Sequence, residues 1–187
     1  LGQGLKYGPA VTLRLAKQSK IQGTCRRIVG DSRFASLTTA LIAVENGFEF
    51  TGVIKTATAG FPKKCLSNSE LYSSRGQTKV LQSSPPILAL GWFDCSPSHP
   101  NAKRIKTFIS TCGTSLDGDP HRKFRKRLVN GVIDEWSFTV PRSRTVEDYF
   151  NGCGSVDRHN HLRQGELALE QVWGTQDWQA RVAATMF

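Results

Sequence analysis

The sequence has no long apolar run, so no segment reads as a membrane span. No charged stretch followed by apolar residues opens it, so no signal peptide is expected. The five cysteines, Cys25, Cys65, Cys95, Cys112 and Cys153, are odd in number and none sits in a C-x-x-C pair. That argues against a disulfide framework and a zinc knuckle, and leaves small buried thiols as the reading. There is no internal repeat and no long low-complexity tract. No Ser/His or Cys/His arrangement supports covalent nucleophilic catalysis. Acidic residues are scarce as well. Fifteen Asp and Glu stand against 25 Lys and Arg, for a net charge of +10 and a pI near 9.7. Such an excess favours an acidic partner, nucleic acid first.

What is present is enough for one core. The 187 residues are 39% hydrophobic, too apolar for a disordered chain and the length of one domain. The chain opens on Leu1 without a methionine and stops at Phe187 inside a helix-like run. It is therefore expected to be an internal piece of a longer protein, truncated at both ends, with residues 1–187 forming one core.

Alternation of Val11, Leu13 and Leu15 predicts a strand over 9–16, and residues 25–30 predict a second. From Ser32 the spacing turns helical, with Ser32 as the cap and Asn46-Gly47 as the stop. Residues 48–55 predict a strand, followed by a Lys- and Ser-rich loop over 56–77. Residues 87–93 and the stretch from Ile105 to Ile109 predict two strands paired as a hairpin. The segment 113–145 is polar and strongly basic. Helical character returns at 146–150, again after Asp157, and in a last helix from Thr175. Strands and helices mix, so the class is α/β or α+β.

Three aspartates share a placement. Asp31 and Asp94 each end a predicted strand, and Asp157 opens a predicted helix. Carboxylates bind hard divalent cations, and Mg²⁺ is commonly held by a few of them with water and phosphate. An Asp at the start of a helix also gains from the helix dipole. Turns and caps favour Asp in any protein, so pattern alone does not select these three. Asp157, His159 and His161 suggest a transition-metal site, but no fourth ligand has convincing spacing. His99 and His121 sit in polar turns. Arg122, Lys123, Arg125, Lys126 and Arg127, interrupted by Phe124, read as a phosphate-contacting run or as a solvated loop or localisation signal. Lys63 and Lys64 are a weaker basic pair. Trp136, Trp173 and Trp178 read as packing residues.

Local context narrows the choice. Cys-Arg-Arg-Ile-Val-Gly-Asp31-Ser-Arg-Phe-Ala-Ser resembles the first-aspartate motif of piggyBac-type transposases. Gly47 to Thr56, followed by Gly60-Phe-Pro, is similar to that family's next strand and turn. Ala-Leu-Gly-Trp92-Phe-Asp94, with Lys106-Thr-Phe-Ile-Ser-Thr after it, resembles the Trp-x-Asp segment and its partner strand. Tyr149-Phe-Asn-Gly-Cys-Gly-Ser-Val-Asp157 is similar to the family's third-aspartate segment. Four segments match in order, across nearly the whole chain.

The resemblance implies an RNase H-like fold, a mixed sheet flanked by helices, with a basic insertion between the second and third acids. It implies that Asp31, Asp94 and Asp157 are catalytic and hold Mg²⁺, or Mn²⁺, to cut and join DNA. Asp94 is preferred to Asp117, Asp119 and Asp134 as the second acid, because it has the Trp-x-Asp context and a strand end. DNA contacts would come from Arg122, Lys123, Arg125, Lys126 and Arg127, with Lys63 and Lys64. The implied partner is double-stranded DNA, both transposon ends and target, met by a homodimer of the full-length protein in the nucleus. Ser32, Arg33, Ala35, Ser155 and Asn160-His161 depart from the family motifs. They keep open the alternative of a domesticated, catalytically inactive DNA-binding protein.

Overall fold

Apolar alternation in three segments builds the sheet at the centre of a computed structural model of the chain. The model describes residues 5–19, 26–83, 87–94, 105–129 and 132–164, without the side chains of 128, 129, 132 and 155–164. Two compact units are delimited, Leu1–Tyr149 and Phe150–Phe187.

The first segment departs from the strand expected over 9–16. It is helix α1, Tyr7–Gln18. Pro9 lies in its first turn, where the N–H has no partner within the helix and proline costs little. Pro9, Thr12, Leu13 and Ala16 recur at three- and four-residue spacing. They meet Ile28, Thr39, Ile42, Ala43 and Phe48. Leu15, a member of the apparent alternation, is exposed. Packing therefore follows the helical period and overrides the local pattern of twos.

Strand β1 (Arg27–Gly30) and strand β2 (Glu49–Ile54) pair in parallel across helix α2 (Leu37–Glu45). Ser36 caps α2, not Ser32: its side chain accepts the Thr39 N–H at 3.1 Å. Residues 31–35 instead form a turn in which Phe34 and Ala35 donate to the Asp31 carbonyl, each at 2.9 Å. Gly47 closes the helix with a φ of 74°, a conformation that glycine adopts without a Cβ clash.

The Lys- and Ser-rich loop over 56–77 contains helix α3 (Lys63–Leu66) and a 3₁₀ turn (Ser69–Leu71), and it is followed by a strand the sequence did not suggest, β3 (Thr78–Gln82). Strands β4 (Leu88–Phe93) and β5 (Ile105–Ser110) pair antiparallel, as expected. The sheet order is β1-β2-β5-β4-β3, with β1–β2 the parallel pair and the rest antiparallel. The mixed sheet with flanking helices is the α/β architecture the sequence implied. Among the described residues, β1 pairs on one side.

One face of the sheet packs Phe50, Ile54, Ala89 and Ile109 against Ala16, Ala35, Ala40, Ala43 and Phe61 from the helices and turns. The other face carries Leu90, Trp92 and Phe108, all fully buried. Phe108 meets Tyr149 edge-on at 5.2 Å. The basic segment is not an irregular loop. It is a hairpin of β6 (His121–Val129) and β7 (Val132–Val140). The two expected helical stretches, at 146–150 and after Asp157, are one helix, α4 (Arg144–Gln164). The helix expected from Thr175 lies outside the described residues.

Tyr72 closes the β3–β4 side of the sheet. Its phenol donates to the Leu66 carbonyl at 2.7 Å, and its ring stacks on Phe93 at 5.6 Å. Burial, with Cys65 adding a smaller push, raises its pKa to about 12. A tyrosine in the unfolded chain titrates near 10. The stabilisation is therefore complete below about pH 10 and is lost as pH rises towards about 12. Urea unfolding across that window should show a steep loss of stability in the wild type and a shallower one in Tyr72→Phe. Equal slopes would contradict the assignment.

Candidate active site and nucleic-acid interface

Asp31 follows β1 directly and is exposed. Its carboxylate accepts the Ser32 N–H, so the side chain folds over its own turn. The strand end beneath it is tightly made. A Cβ on Gly30 would meet the Phe50 ring at 2.7 Å, and one on Gly52 would meet the Ala35 Cβ at 2.7 Å. These two glycines, opposite each other across β1 and β2, let Phe50 and Ala35 pack under the turn. Gly8 of α1 sits against the Arg33 carbonyl, 3.0 Å from where its Cβ would be. An exposed carboxylate on a braced turn suits a divalent cation with water in its shell.

Asp94 has different surroundings. Its carboxylate is 4% exposed and meets Arg75 Nη2 at 3.2 Å and Lys106 Nζ at 3.6 Å. Lys123 Nζ forms a third ion pair with it. Three cations around one anion leave the cluster at +2. Burial pushes the Asp94 carboxyl up, but Lys123, Arg75 and Lys106 outweigh it and hold it below the usual carboxylate range. Burial pushes the Lys123 ammonium down. Asp94 opposes that shift, while Lys106 and Arg75 add to it. A divalent cation brought to Asp94 would enter a positive field with the carboxylate already engaged. The arrangement does not fit the metal-ligand role expected for Asp94.

Asp157 lies inside α4, well past its first turn, rather than opening a helix. The dipole contribution, which fades within one turn, does not apply to it. The side chains of Asp157, His159 and His161 lie outside the described residues, as does His99. Among the described residues no group of three or more His, Cys, Asp and Glu is placed to hold a metal. The other acids considered, Asp117, Asp119 and Asp134, are exposed. Asp117 and Asp119 are tied down through their backbone, Asp117 in a β-bridge with Ser143 and Asp119 by its N–H, which donates to Glu147 at 3.2 Å. Asp134 stands opposite Arg127 on the hairpin.

The basic run does not present one face. Strand alternation puts Lys123, Arg125 and Arg127 on one side of the hairpin and Arg122 and Lys126 on the other. Lys123 is taken by Asp94 and Lys126 by Glu135. Arg122 donates to Ser137 at 3.1 Å and lies over the Phe124 ring. Lys63 is also occupied: its ammonium donates to the Ile54 carbonyl at 3.2 Å and to the Lys55 carbonyl. Burial lowers its pKa. It closes the end of β2, whereas Lys64 is exposed. His121 packs edge-on against Trp92. Trp136 is 45% exposed, so the packing role expected of it fails. Trp173 and Trp178 lie outside the described residues.

Arg75, Lys106 and Glu147 were not singled out in the sequence. Glu147 is buried and accepts from Arg144 at 2.9 Å and from the Asp119 N–H. It ties the segment leading into β6 to the start of α4.

A family model described as "Transposase IS4" matches residues 3–187. The chain belongs to this transposase family. The described fold is also similar to a solved transposase, in a cryo-EM structure titled "piggyBac transposase synaptic complex with hairpin DNA". That match has a TM-score of 0.60 at 18% identity and covers 87% of this chain. This transposase-family chain spans 28% of the length of that protein. The mixed sheet and flanking helices are the architecture the two share. No curated protein matches. The resemblance read from the four motifs and the family found here agree.

Removing the Asp94 charge leaves three cations without their counterion. Breaking a buried ion pair from one side costs about 3–5 kcal/mol, so Asp94→Asn should be strongly destabilised in denaturant unfolding. Because the folded pKa is depressed, the wild-type contribution is present above about pH 4 and is lost as pH falls further. Asp94→Asn should lack that acid-dependent component. Wild-type stability in Asp94→Asn would show that the cluster holds nothing.

Proposed function

We propose that the chain is part of the catalytic domain of a DNA transposase, acting on phosphodiesters. The observation that carries this reading is the family match over residues 3–187. By motif, Asp31 and Asp157 are the carboxylates that hold divalent cations, with Mg²⁺ as the ordinary ion and Mn²⁺ as a substitute. When bound, such ions activate the attacking oxygen and stabilise the departing one. Asp31 suits the role because its turn is exposed and braced by Gly30, Gly52 and Phe50. Asp94 is better read as a structural counterion, for the reason its three cations supply. A further carboxylate is then needed from elsewhere in the full protein. Among the described residues β1 has a partner on one side, and its other side, beside Asp31, is where an added strand can bring one.

DNA is the partner this reading requires. Of the basic residues singled out, Arg122, Arg125, Lys126, Arg127 and Lys64 are exposed and can meet phosphates, whereas Lys63 and Lys123 are taken by partners within the fold. Binding through them is largely independent of sequence and weakens with salt. The nucleus and a homodimer of the full-length protein follow from the same reading. A second reading, a DNA-binding protein that has lost catalysis, is favoured by the departures Ser32, Ala35 and Asn160-His161 in the motif segments.

The test is nicking of supercoiled plasmid by the full-length protein with Mg²⁺ or Mn²⁺. Loss of groups that merely support a metal ligand costs 10–100-fold. Asp31→Ala and Asp157→Ala should therefore lose at least about a hundredfold while keeping DNA affinity. Nicking by Asp31→Ala at the wild-type rate would overturn the assignment. Salt-sensitive binding with no nicking by the wild type would select the inactive reading.

A further inference from the structure

Arg33 stands two residues after Asp31 on the same turn, and both are exposed. Their charges are opposite, yet among the described residues no ion pair joins them. The Asp31 carboxylate accepts the Ser32 N–H. The Arg33 guanidinium lies instead over the Tyr7 ring, 5.8 Å from its centroid, within reach of a cation–π contact. The start of α1 makes this possible by lying against the turn: a Cβ on Gly8 would stand 3.0 Å from the Arg33 carbonyl oxygen. Tyr7 is 66% exposed, so its ring adds little to the core. Lys6 precedes it and is exposed, and α1 contains no acidic residue.

An exposed arginine ordinarily samples many rotamers, and ordering it costs binding energy. Resting on Tyr7, the Arg33 guanidinium is held to one region beside the Asp31 turn, so less freedom is lost when an anion binds. A carboxylate and a guanidinium that are close, open and unpaired suit a ligand that brings a cation to one and an anion to the other. A phosphodiester accompanied by a divalent cation is such a ligand. We propose that Arg33 binds a phosphate of the DNA strand beside the phosphodiester that reacts at Asp31, with Tyr7 as the positioning residue that holds the guanidinium in place. The assignment rests on the catalytic reading above, and it gives a function to one of the positions where the chain departs from the family motifs. An acidic protein segment would match Arg33 and Lys6 but would be repelled by the neighbouring Asp31 carboxylate.

The test uses the full-length protein and two readouts. Affinity for a duplex oligonucleotide is measured by fluorescence anisotropy in EDTA over a range of salt. Nicking of supercoiled plasmid with Mg²⁺ is measured at saturating protein. Each phosphate contact adds about 0.9 to the slope of log affinity against log salt. Arg33→Ala should flatten the slope by about that amount. It should also slow saturated nicking about tenfold, within the roughly hundredfold that misplacing a substrate can cost. Arg33→Lys should keep the slope but slow nicking, because the ammonium keeps the charge and loses the planar stack. Tyr7→Leu should do the same, whereas Tyr7→Phe should match the wild type. A side chain that only supported the fold would not separate slope from rate, and thermal melts of these exposed-site variants check that folding is kept. An unchanged slope in Arg33→Ala, or saturated nicking by it at the wild-type rate, would overturn this inference and leave the Asp31 assignment standing. Wild-type nicking by Tyr7→Leu would overturn the role given to Tyr7. A wild type that binds the duplex but does not nick would overturn the catalytic reading and this inference together.

Discussion

The four-charge cluster at Asp94 fastens the loop before β3 and the base of the β6–β7 hairpin to the β4–β5 ladder. Its members come from the loop before β3, the end of β4, the second residue of β5 and the third residue of β6. Trp92 lies beneath them, fully buried, with Lys106 and Lys123 over its ring and its N–H donating to the Pro141 carbonyl at 2.8 Å. One side of β4 thus fixes both ends of the hairpin base, His121 through the ring and Pro141 through the hydrogen bond. An isolated two-stranded hairpin is marginal in water. This one is seated because its first pairs are built into the sheet's second face, which leaves its outer pairs free to carry exposed side chains.

The same constraint separates two aspartates that look alike in sequence. Both follow a strand. Asp31 ends on an open turn, over glycines that let Phe50 and Ala35 close underneath. Asp94 ends on a strand whose neighbours are cationic, and a carboxylate there is needed to offset Arg75, Lys106 and Lys123. Burying those cations without it would cost several kcal/mol. The Trp-x-Asp spacing that drew attention to Asp94 has a structural meaning. Residues two apart on a strand share a face, so the buried indole and the buried carboxylate form one platform for the hairpin.

Much of the sheet was legible in the sequence because its strands are short, apolar and punctuated. Residues 49–54, 88–93 and 105–110 alternate or run apolar between turn residues, and Gly47 marks the end of α2. Three features were hidden for physical reasons. In α1, Val11, Leu13 and Leu15 mimic a strand, and the fold resolves the ambiguity through Pro9, Leu13 and Ala16, which pack at helical spacing. The cap of α2 lay four residues later than expected because Ser32, Phe34 and Ala35 spend their backbone N–H groups on a turn around Asp31. The hairpin was masked by its charge. Residues 121–129 carry cations on both faces and show no apolar alternation, although Asn130-Gly131 between two runs is a hairpin signal. Of the candidate site, the motif and the strand end mark Asp31, which the fold places on an exposed turn after β1. The cations around Asp94 were not legible, because Arg75, Lys106 and Lys123 lie 12 to 29 positions away in the chain.

The division of labour between Asp31 and Asp94 is the centre of this account. The most direct test is an anomalous difference map from crystals of the full-length protein soaked in Mn²⁺. The account predicts a peak at bonding distance from the Asp31 carboxylate and none at Asp94, whose oxygens stay on Arg75, Lys106 and Lys123. A Mn²⁺ peak on Asp94, with those three side chains displaced, would contradict it.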